Sequence, residues 1–133
     1  MTAYMLDTNI CIAVMKGRQA VRSKISSIDS AKTGISGIVL AELSYGVWKS
    51  LKCERNKKAL ADFCSVCAVL DWPAPAADIY GEIRACLERQ GRIIGANDLL
   101  IAAHAKYLDA VLVTNNTREF ERIPGLKIEN WTS

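Results

Sequence analysis

The segment Tyr4-Met5-Leu6-Asp7-Thr8-Asn9 decides the fold, because three apolar residues are followed directly by three polar ones. A short apolar run with such an abrupt end is typical of a buried strand. In α/β proteins, sites form at the carboxyl ends of the strands of a parallel sheet. The segment therefore predicts a core strand at Tyr4–Leu6 with the carboxylate of Asp7 at its functional end.

Further strands and helices alternate along the rest of the chain. Strands are predicted at Thr33–Ser36, 67–71 and 110–114, with an edge strand at 126–128. Helices are predicted at 38–48, 56–66, 75–90 and 99–108, with a polar turn or short helix at 115–121. This alternation predicts an α/β fold, an α/β/α sandwich with a central parallel sheet.

Three carboxylates have unusual neighbours. Asp7 follows a buried strand, Glu42 lies among uncharged residues of a helix, and Asp98 starts a strongly apolar helix. An α/β fold brings a strand end and helix starts to one sheet edge, so we expect the three to meet there. Taken singly, each has another explanation: a turn cap for Asp7, an arginine partner for Glu42 and a helix cap for Asp98.

Carboxylates gathered at one edge repel each other, and a hard divalent cation relieves that repulsion. Oxygen ligands without cysteine or several histidines favour Mg²⁺ or Mn²⁺ over zinc. A cation held by a few carboxylates keeps positions open for water and a phosphate oxygen, the arrangement for phosphodiester hydrolysis. His104, within the apolar helix, is interpreted as structural.

Length and composition indicate one soluble globular domain over residues 1–133, with 50% hydrophobic and 23% charged residues. A net charge of +3 permits a nucleic-acid partner without requiring one. Five cysteines, an odd number, favour reduced thiols, and the lone Cys64/Cys67 pair is interpreted as core packing. The apolar runs are too short for a membrane span, and no basic leader opens the chain, so we expect a cytoplasmic protein without a membrane partner.

Four segments resemble, in order and spacing, the PIN-domain family and its VapC-type toxins of bacterial toxin–antitoxin pairs. They are MLDTN at 5–9, the segment 36–46 ending in AELSYG, GRIIGAND at 91–98 with the helix that follows, and VTNNTREF at 113–120. The resemblance covers essentially the whole chain. It implies a single PIN-like nuclease domain over residues 1–133.

The resemblance also implies an activity and partners. It implies an endoribonuclease that uses Mg²⁺ or Mn²⁺, with Asp7 and Asp98 as metal ligands and Glu42 as the third acid. It further implies a homodimer, a VapB-type antitoxin that blocks the active site, and tRNA as substrate, with initiator tRNA cut in the anticodon loop as the first candidate.

The sequence departs from the family pattern after the last core strand. Many PIN domains have a fourth acid shortly after the threonine that ends this strand, and here Asn115 and Asn116 follow Thr114. Glu119 is the candidate replacement, as a contact to water or to a second metal ion. Asn116 and Arg118 are candidate substrate contacts.

Two other functions remain open at this point. A phosphatase of the haloacid-dehalogenase type uses Asp-x-Asp, but Asn9 stands where the second acid is required. An RNA- or protein-binding module could keep the fold without cleavage. Basic residues between 49 and 58 are candidate phosphate contacts, and core or interface packing is the preferred interpretation of Trp48, Trp72 and Trp131.

Overall fold

The computed structural model describes residues 1–132 and contains a five-stranded sheet in which all paired strands run parallel. The strands are β1 (Tyr4–Leu6), β2 (Thr33–Ser36), β3 (Ala68–Leu70), β4 (Val111–Val113) and β5 (Ile128–Glu129). Their spatial order is β3-β2-β1-β4-β5. The chain thus builds one half of the sheet outward from β1 and returns to build the other half from β4.

The helices connect these strands and flank the sheet. They are α1 (Thr8–Met15), α2 (Gln19–Ser26), α3 (Gly37–Lys49), α4 (Cys53–Val66), α5 (Ala76–Arg89), α6 (Ala96–Tyr107) and α7 (Thr117–Phe120). The predicted α/β class with a central parallel sheet is confirmed. In the described part of the chain, no helix has both the length and the apolar character needed to cross a bilayer.

The core forms because the central strands are covered on both faces. Met5 and Leu6 of β1 and Leu112 and Val113 of β4 are all almost fully buried. Continuous apolar runs of this kind are expected for parallel strands, which do not alternate between core and solvent. Helix α6 contributes a nearly continuous apolar surface, with residues 101–105 buried.

Some boundaries differ from the sequence prediction. The helices α1 and α2 were not predicted, and α4 begins at Cys53 rather than near residue 56. The edge strand lies at Ile128–Glu129 instead of 126–128. Helix α1 escaped prediction because six successive apolar residues, 10–15, give no clear polar face from which a helical period could be read.

Two tryptophans confirm the packing interpretation and one does not. The Trp131 side chain is 4% exposed and its ring centroid lies 5.4 Å from that of Tyr4. The Trp72 indole N–H donates to the carbonyl oxygen of Leu100 at 2.8 Å, which fixes it against α6. Trp48 is 68% exposed and so does not pack in the core, which leaves interface packing as the prediction for this residue.

Candidate active site

The site lies where the strand order of the sheet reverses. The neighbours β1 and β4 lead away in opposite directions, so their carboxyl ends flank the crevice in which α/β folds bind ligands. Asp7 follows β1 and Thr114 follows β4 at this edge. The backbone N–H of Asp7 donates to the carbonyl oxygen of Val113 at 2.9 Å, which ties the two strand ends together.

Asp7 is a buried carboxylate with both oxygens hydrogen-bonded. Its side chain is 5% exposed. Oδ1 accepts from the backbone N–H of Thr8 at 2.5 Å, and Oδ2 accepts from the hydroxyl of Thr114 at 2.6 Å. Burial raises the pKa of Asp7, these two hydrogen bonds lower it, and the nearby charge of Glu42 raises it, for a net increase. Asp7 is also the N-cap residue of α1. It therefore caps this helix and belongs to the site as well.

Glu42 lies between two other elements of the site. Its Oε1 accepts from the hydroxyl of Thr8 at 2.6 Å, and its Oε2 accepts from the side-chain amide of Asn97 at 3.5 Å. These contacts link α3 to the starts of α1 and α6. The arginine partner considered from the sequence is not what holds Glu42 in place.

Asp98 is held in the first turn of α6 without capping it. The N-cap residue of this helix is Gly95, and no side chain caps the helix. The helix-cap explanation of Asp98 is therefore wrong. A Cβ atom added at Gly95 would lie 3.4 Å from Oδ2 of Asp98, which is an ordinary van der Waals contact distance. The carboxylate of Asp98 therefore lies close to the backbone of Gly95.

The surroundings of Asp98 show that the acids share one electrostatic environment. Burial, and then the charges of Asp7, Glu42 and Glu119, raise the pKa of Asp98 to about 6. These acids lie just after β1 and within α3, α6 and α7, which are distant in the chain. The structure therefore brings Asp7, Glu42, Asp98 and Glu119 to the same edge of the sheet.

The segment that carries Glu119 is tied to the loop before α6. Arg122 donates to the carbonyl oxygens of Arg92 and Ile93, at 3.4 and 3.2 Å. The backbone N–H of Asn116 donates to the hydroxyl of Thr114 at 2.9 Å, and Arg118 is exposed on α7. Thr114 thus connects Asp7 to the turn that starts α7.

The donor set fits a hard cation. It consists of carboxylate, hydroxyl and amide oxygens. Burial and then the negative charges of the neighbouring acids raise the pKa of Asp98, and a divalent ion relieves the repulsion among such charges. Among residues 1–132, no three His, Cys, Asp or Glu side chains already form a closed metal cage. An ion here would therefore be held by one or two of these carboxylates, with water in its other positions.

Other reactive residues lie outside this cluster. His104 is 1% exposed, its Nδ1 has no hydrogen-bond partner, and burial lowers its pKa, all consistent with a neutral structural histidine. The cysteines are free thiols. Burial, with the nearby Cys64, raises the pKa of Cys67 to about 11, so its thiolate is disfavoured.

Sequence reasoning missed three residues that hold the acids: Thr8, Asn97 and Thr114. Thr114 carries the same signal as Asp7, since it is a polar residue directly after an apolar strand. Thr8 and Asn97 each stand beside a predicted acid, but nothing in the sequence indicates that both contact Glu42.

Comparison with known proteins identifies the family. The PIN domain model matches residues 4–126. The chain is 50% identical to "Ribonuclease VapC2" of Rickettsia felis over 130 residues, 96% of this chain and 97% of that protein. It is 46% identical to "tRNA(fMet)-specific endonuclease VapC" of Shigella flexneri over 132 residues, 99% of this chain and 100% of that protein.

A solved structure gives the same result. A chain in the crystal structure of VapBC2 from Rickettsia felis, bound to a DNA fragment from their promoter, superposes with a TM-score of 0.93. The two chains are 48% identical, and the match covers 98% of this chain and 99% of that chain. The chain therefore belongs to the PIN-domain family, and within it to the VapC-type ribonucleases. The family resemblance and the class of endoribonuclease predicted from the sequence are confirmed.

We predict that Asp98→Asn stabilises the protein at neutral pH in EDTA. The folded state holds the Asp98 proton up to a pH of about 6, whereas the ordinary pKa is 3.8. The free energy of unfolding therefore falls as the pH rises through this interval. The amide side chain of the Asp98→Asn variant carries no charge at any of these pH values, so the variant avoids this loss of stability. Thermal unfolding should show a gain on the order of a few degrees at pH 7 and a smaller gain at pH 5.

The control for this experiment is Asp62→Asn. Asp62 is an exposed acid of α4 paired with Lys58 at 3.1 Å, so removing its charge should give no gain. A lower melting temperature for Asp98→Asn than for the wild type at pH 7 would contradict the crowding of charge at this edge.

We predict that Thr114→Val lowers the free energy of unfolding by about 1.5–3 kcal/mol, the usual contribution of a hydrogen bond to a charged group. The change keeps the shape of a fully buried side chain but removes the donor to Oδ2 of Asp7 and the acceptor for the backbone N–H of Asn116. Urea denaturation at pH 7 measures the loss. Thr114→Ser keeps the hydroxyl and should recover part of it, and equal stability of the valine and serine variants would contradict the role of the hydrogen bond.

Proposed function

We propose that this chain is the toxin of a toxin–antitoxin pair and acts as a Mg²⁺-dependent endoribonuclease on tRNA. The observation that carries the proposal is the gathering of four acids at one sheet edge, where burial and then the charges of Asp7, Glu42 and Glu119 raise the pKa of Asp98. Four acids around one crevice form a site for a hard cation and a phosphodiester. Mn²⁺ is expected to replace Mg²⁺, because both prefer oxygen ligands.

Asp7 and Asp98 are the proposed metal ligands, with Glu42 as the third acid. When bound, the ion supplies Lewis acidity at a phosphate oxygen and makes a coordinated water more acidic. Thr114 and the backbone N–H of Thr8 hold the two oxygens of Asp7, so the carboxylate is oriented before substrate arrives. Thr8 and Asn97 do the same for Glu42.

Glu119 is proposed to orient the attacking water through its carboxylate. It lies on a short helix directly beyond Thr114, and its charge reaches Asp98. This position compensates for Asn115 and Asn116, which stand where many family members have the fourth acid. Asn116 and Arg118 are proposed as substrate contacts, because both lie in the same turn and Arg118 is exposed.

The substrate proposal is supported by a relative. The Shigella flexneri protein, which is 46% identical to this chain, is named a tRNA(fMet)-specific endonuclease. The alignment covers 99% of this chain and 100% of that protein. We therefore propose initiator tRNA as the first substrate to test, with cleavage in the anticodon loop.

The partner proposal combines the comparison with a groove. The structural relative from Rickettsia felis was solved as a VapBC2 complex. In this chain an open groove of about 580 Å³ runs between α1, α3 and α4, with Ile12, Leu43 and Leu60 on its walls and Glu42 at its margin. An apolar segment of a VapB-type antitoxin lying in this groove would reach the active site and block it. A homodimer is proposed on the family resemblance alone.

We predict that the purified protein, freed of any antitoxin, cuts initiator tRNA in the presence of Mg²⁺ and that EDTA stops the reaction. Asp7→Asn and Asp98→Asn should each lower the rate by about 100-fold or more, because each removes a charged group that the transition state needs. Sequencing of RNA ends after incubation with total RNA measures both the rate and the cleaved position.

The matched control is Asp109→Asn, the same chemical change at the exposed acid paired with Lys127. It should cut RNA at the wild-type rate. If the protein binds RNA but cleaves it neither with Mg²⁺ nor with EDTA, the binding-module alternative is favoured. If it releases phosphate from small phosphomonoesters, a phosphatase is favoured.

A further inference from the structure

Two aromatic side chains lie exposed on α3 beyond the candidate active site. Tyr45 is 67% exposed and Trp48 is 68% exposed, whereas Trp131, in the core, is 4% exposed. Large aromatic side chains are costly to leave in water when they could be buried. Two neighbouring ones on one helix therefore indicate a surface that binds something.

Each ring is accompanied by a lysine. The Nζ of Lys49 lies 4.9 Å from the ring centroid of Tyr45, and the Nζ of Lys57 lies 4.8 Å from that of Trp48. These four residues form what we call the aromatic–lysine surface. It offers ring faces and positive charges side by side, the combination that proteins use to bind single-stranded nucleic acid.

The position of this surface relative to the acids determines the order in which a bound strand would meet its two rings. Tyr45 lies one helical turn beyond Glu42 on an adjacent face of α3. Trp48 lies six residues beyond Glu42, a rise of about 9 Å along the helix axis. Trp48 also lies about 120° around the helix from Glu42, so a strand that reaches both would follow the surface of α3 over at least about three nucleotides at ~3.4 Å each. A strand leaving the active site would therefore cross Tyr45 first and Trp48 next.

The charge of the α3–α4 hairpin decides between possible occupants. Residues 49–58 carry five basic side chains and one acid, Glu54. A symmetric dimer whose two-fold axis passes through this patch would set like charges against each other, which is unfavourable. A polyanion has the complementary charge, and its unpaired bases would use the rings.

We propose that the aromatic–lysine surface binds unpaired bases of the RNA substrate, with Tyr45 and Trp48 stacking on successive bases and Lys49 and Lys57 contacting phosphates. This inference rests on the proposed function and deepens it. It assigns the recognition of single-stranded loop RNA, as opposed to duplex, to a surface outside the carboxylate cluster. Stacking on unpaired bases is the main way in which proteins recognise RNA loops, since bases in a duplex offer no free face.

The test is RNA binding in EDTA, which prevents cleavage. A fluorescently labelled hairpin with a single-stranded loop is titrated with protein, and a fully paired RNA of the same length serves as comparison. Trp48→Ala should weaken binding to the loop RNA about tenfold, the usual loss when one stacking aromatic is removed. Binding to the duplex should change much less.

Two further variants separate stacking from general damage. Trp48→Phe retains a ring face and should keep most of the affinity for the loop RNA, while it loses the quenching of tryptophan emission that a stacked base causes in the wild type. Tyr107→Ala removes an exposed aromatic, 43% exposed, near the end of α6 distant from Asp98, and should bind both RNAs like the wild type.

The lysines are tested by the salt dependence of binding. Lys49→Gln and Lys57→Gln should each reduce the slope of log affinity against log salt by about 0.7, the value for one phosphate contact on a single strand. An unchanged slope in both variants would remove the lysines from the proposal.

The remaining outcomes overturn the inference in distinguishable ways. Equal loss of loop and duplex binding in Trp48→Ala would exclude base stacking. Unchanged RNA binding together with a change in sedimentation would assign the surface to a second copy of the chain. If the wild type cleaves tRNA while Trp48→Ala binds the loop RNA normally, this inference alone fails. If the wild type cleaves no RNA in Mg²⁺, the proposed function fails as well.

Discussion

The buried carboxylate of Asp7 sets the main constraint on this molecule. A carboxylate at 5% exposure is costly to ionise, and here two hydrogen bonds, from Thr8 and Thr114, offset part of that cost. The donor from Thr8 is local, whereas the donor from Thr114 depends on the ends of β1 and β4 lying side by side. The connection that brings β4 beside β1 is therefore required for the site as well as for the sheet.

The other acids add negative charge near Asp7, and the charge of Glu42 makes the ionisation of Asp7 more costly. Glu42, Asp98 and Glu119 reach this edge from three different helices, and no basic side chain is among the groups that shift the pKa of Asp7 or Asp98. An ordinary structural cluster would contain lysine or arginine partners for its acids. A cluster that leaves its negative charge uncompensated is suited to a cation.

The division of labour on α3 links this cluster to the rest of the surface. Its start follows β2, its second turn holds Glu42 against Thr8 and Asn97, and its last turns present Tyr45 and Trp48 to solvent. Leu43 and Val47 face the groove toward α1 and α4. One helix thus connects the acids, the proposed antitoxin groove and the aromatic–lysine surface, and the two proposed partners would compete for access to Glu42.

The sequence contained enough to predict the sheet and the positions of the acids, but not the contacts that hold them. Asp7 and Asp98 stood out because a polar residue next to an apolar run is a local signal. The hydrogen bonds Thr8–Glu42, Asn97–Glu42 and Thr114–Asp7 join residues 34, 55 and 107 positions apart, and nothing local specifies such pairs. The exposure of Trp48 could not be predicted, because apolar spacing shows which residues share a helix face but not whether another element covers that face.

The most direct test of the central claim is a crystal soaked in Mn²⁺, with the ion located by its anomalous scattering. The account predicts a peak at the carboxyl ends of β1 and β4, bonded to carboxylate oxygens of Asp7 and Asp98. A crystal in which Mn²⁺ binds only at other carboxylates, with Asp7 and Asp98 free of the ion, would contradict it.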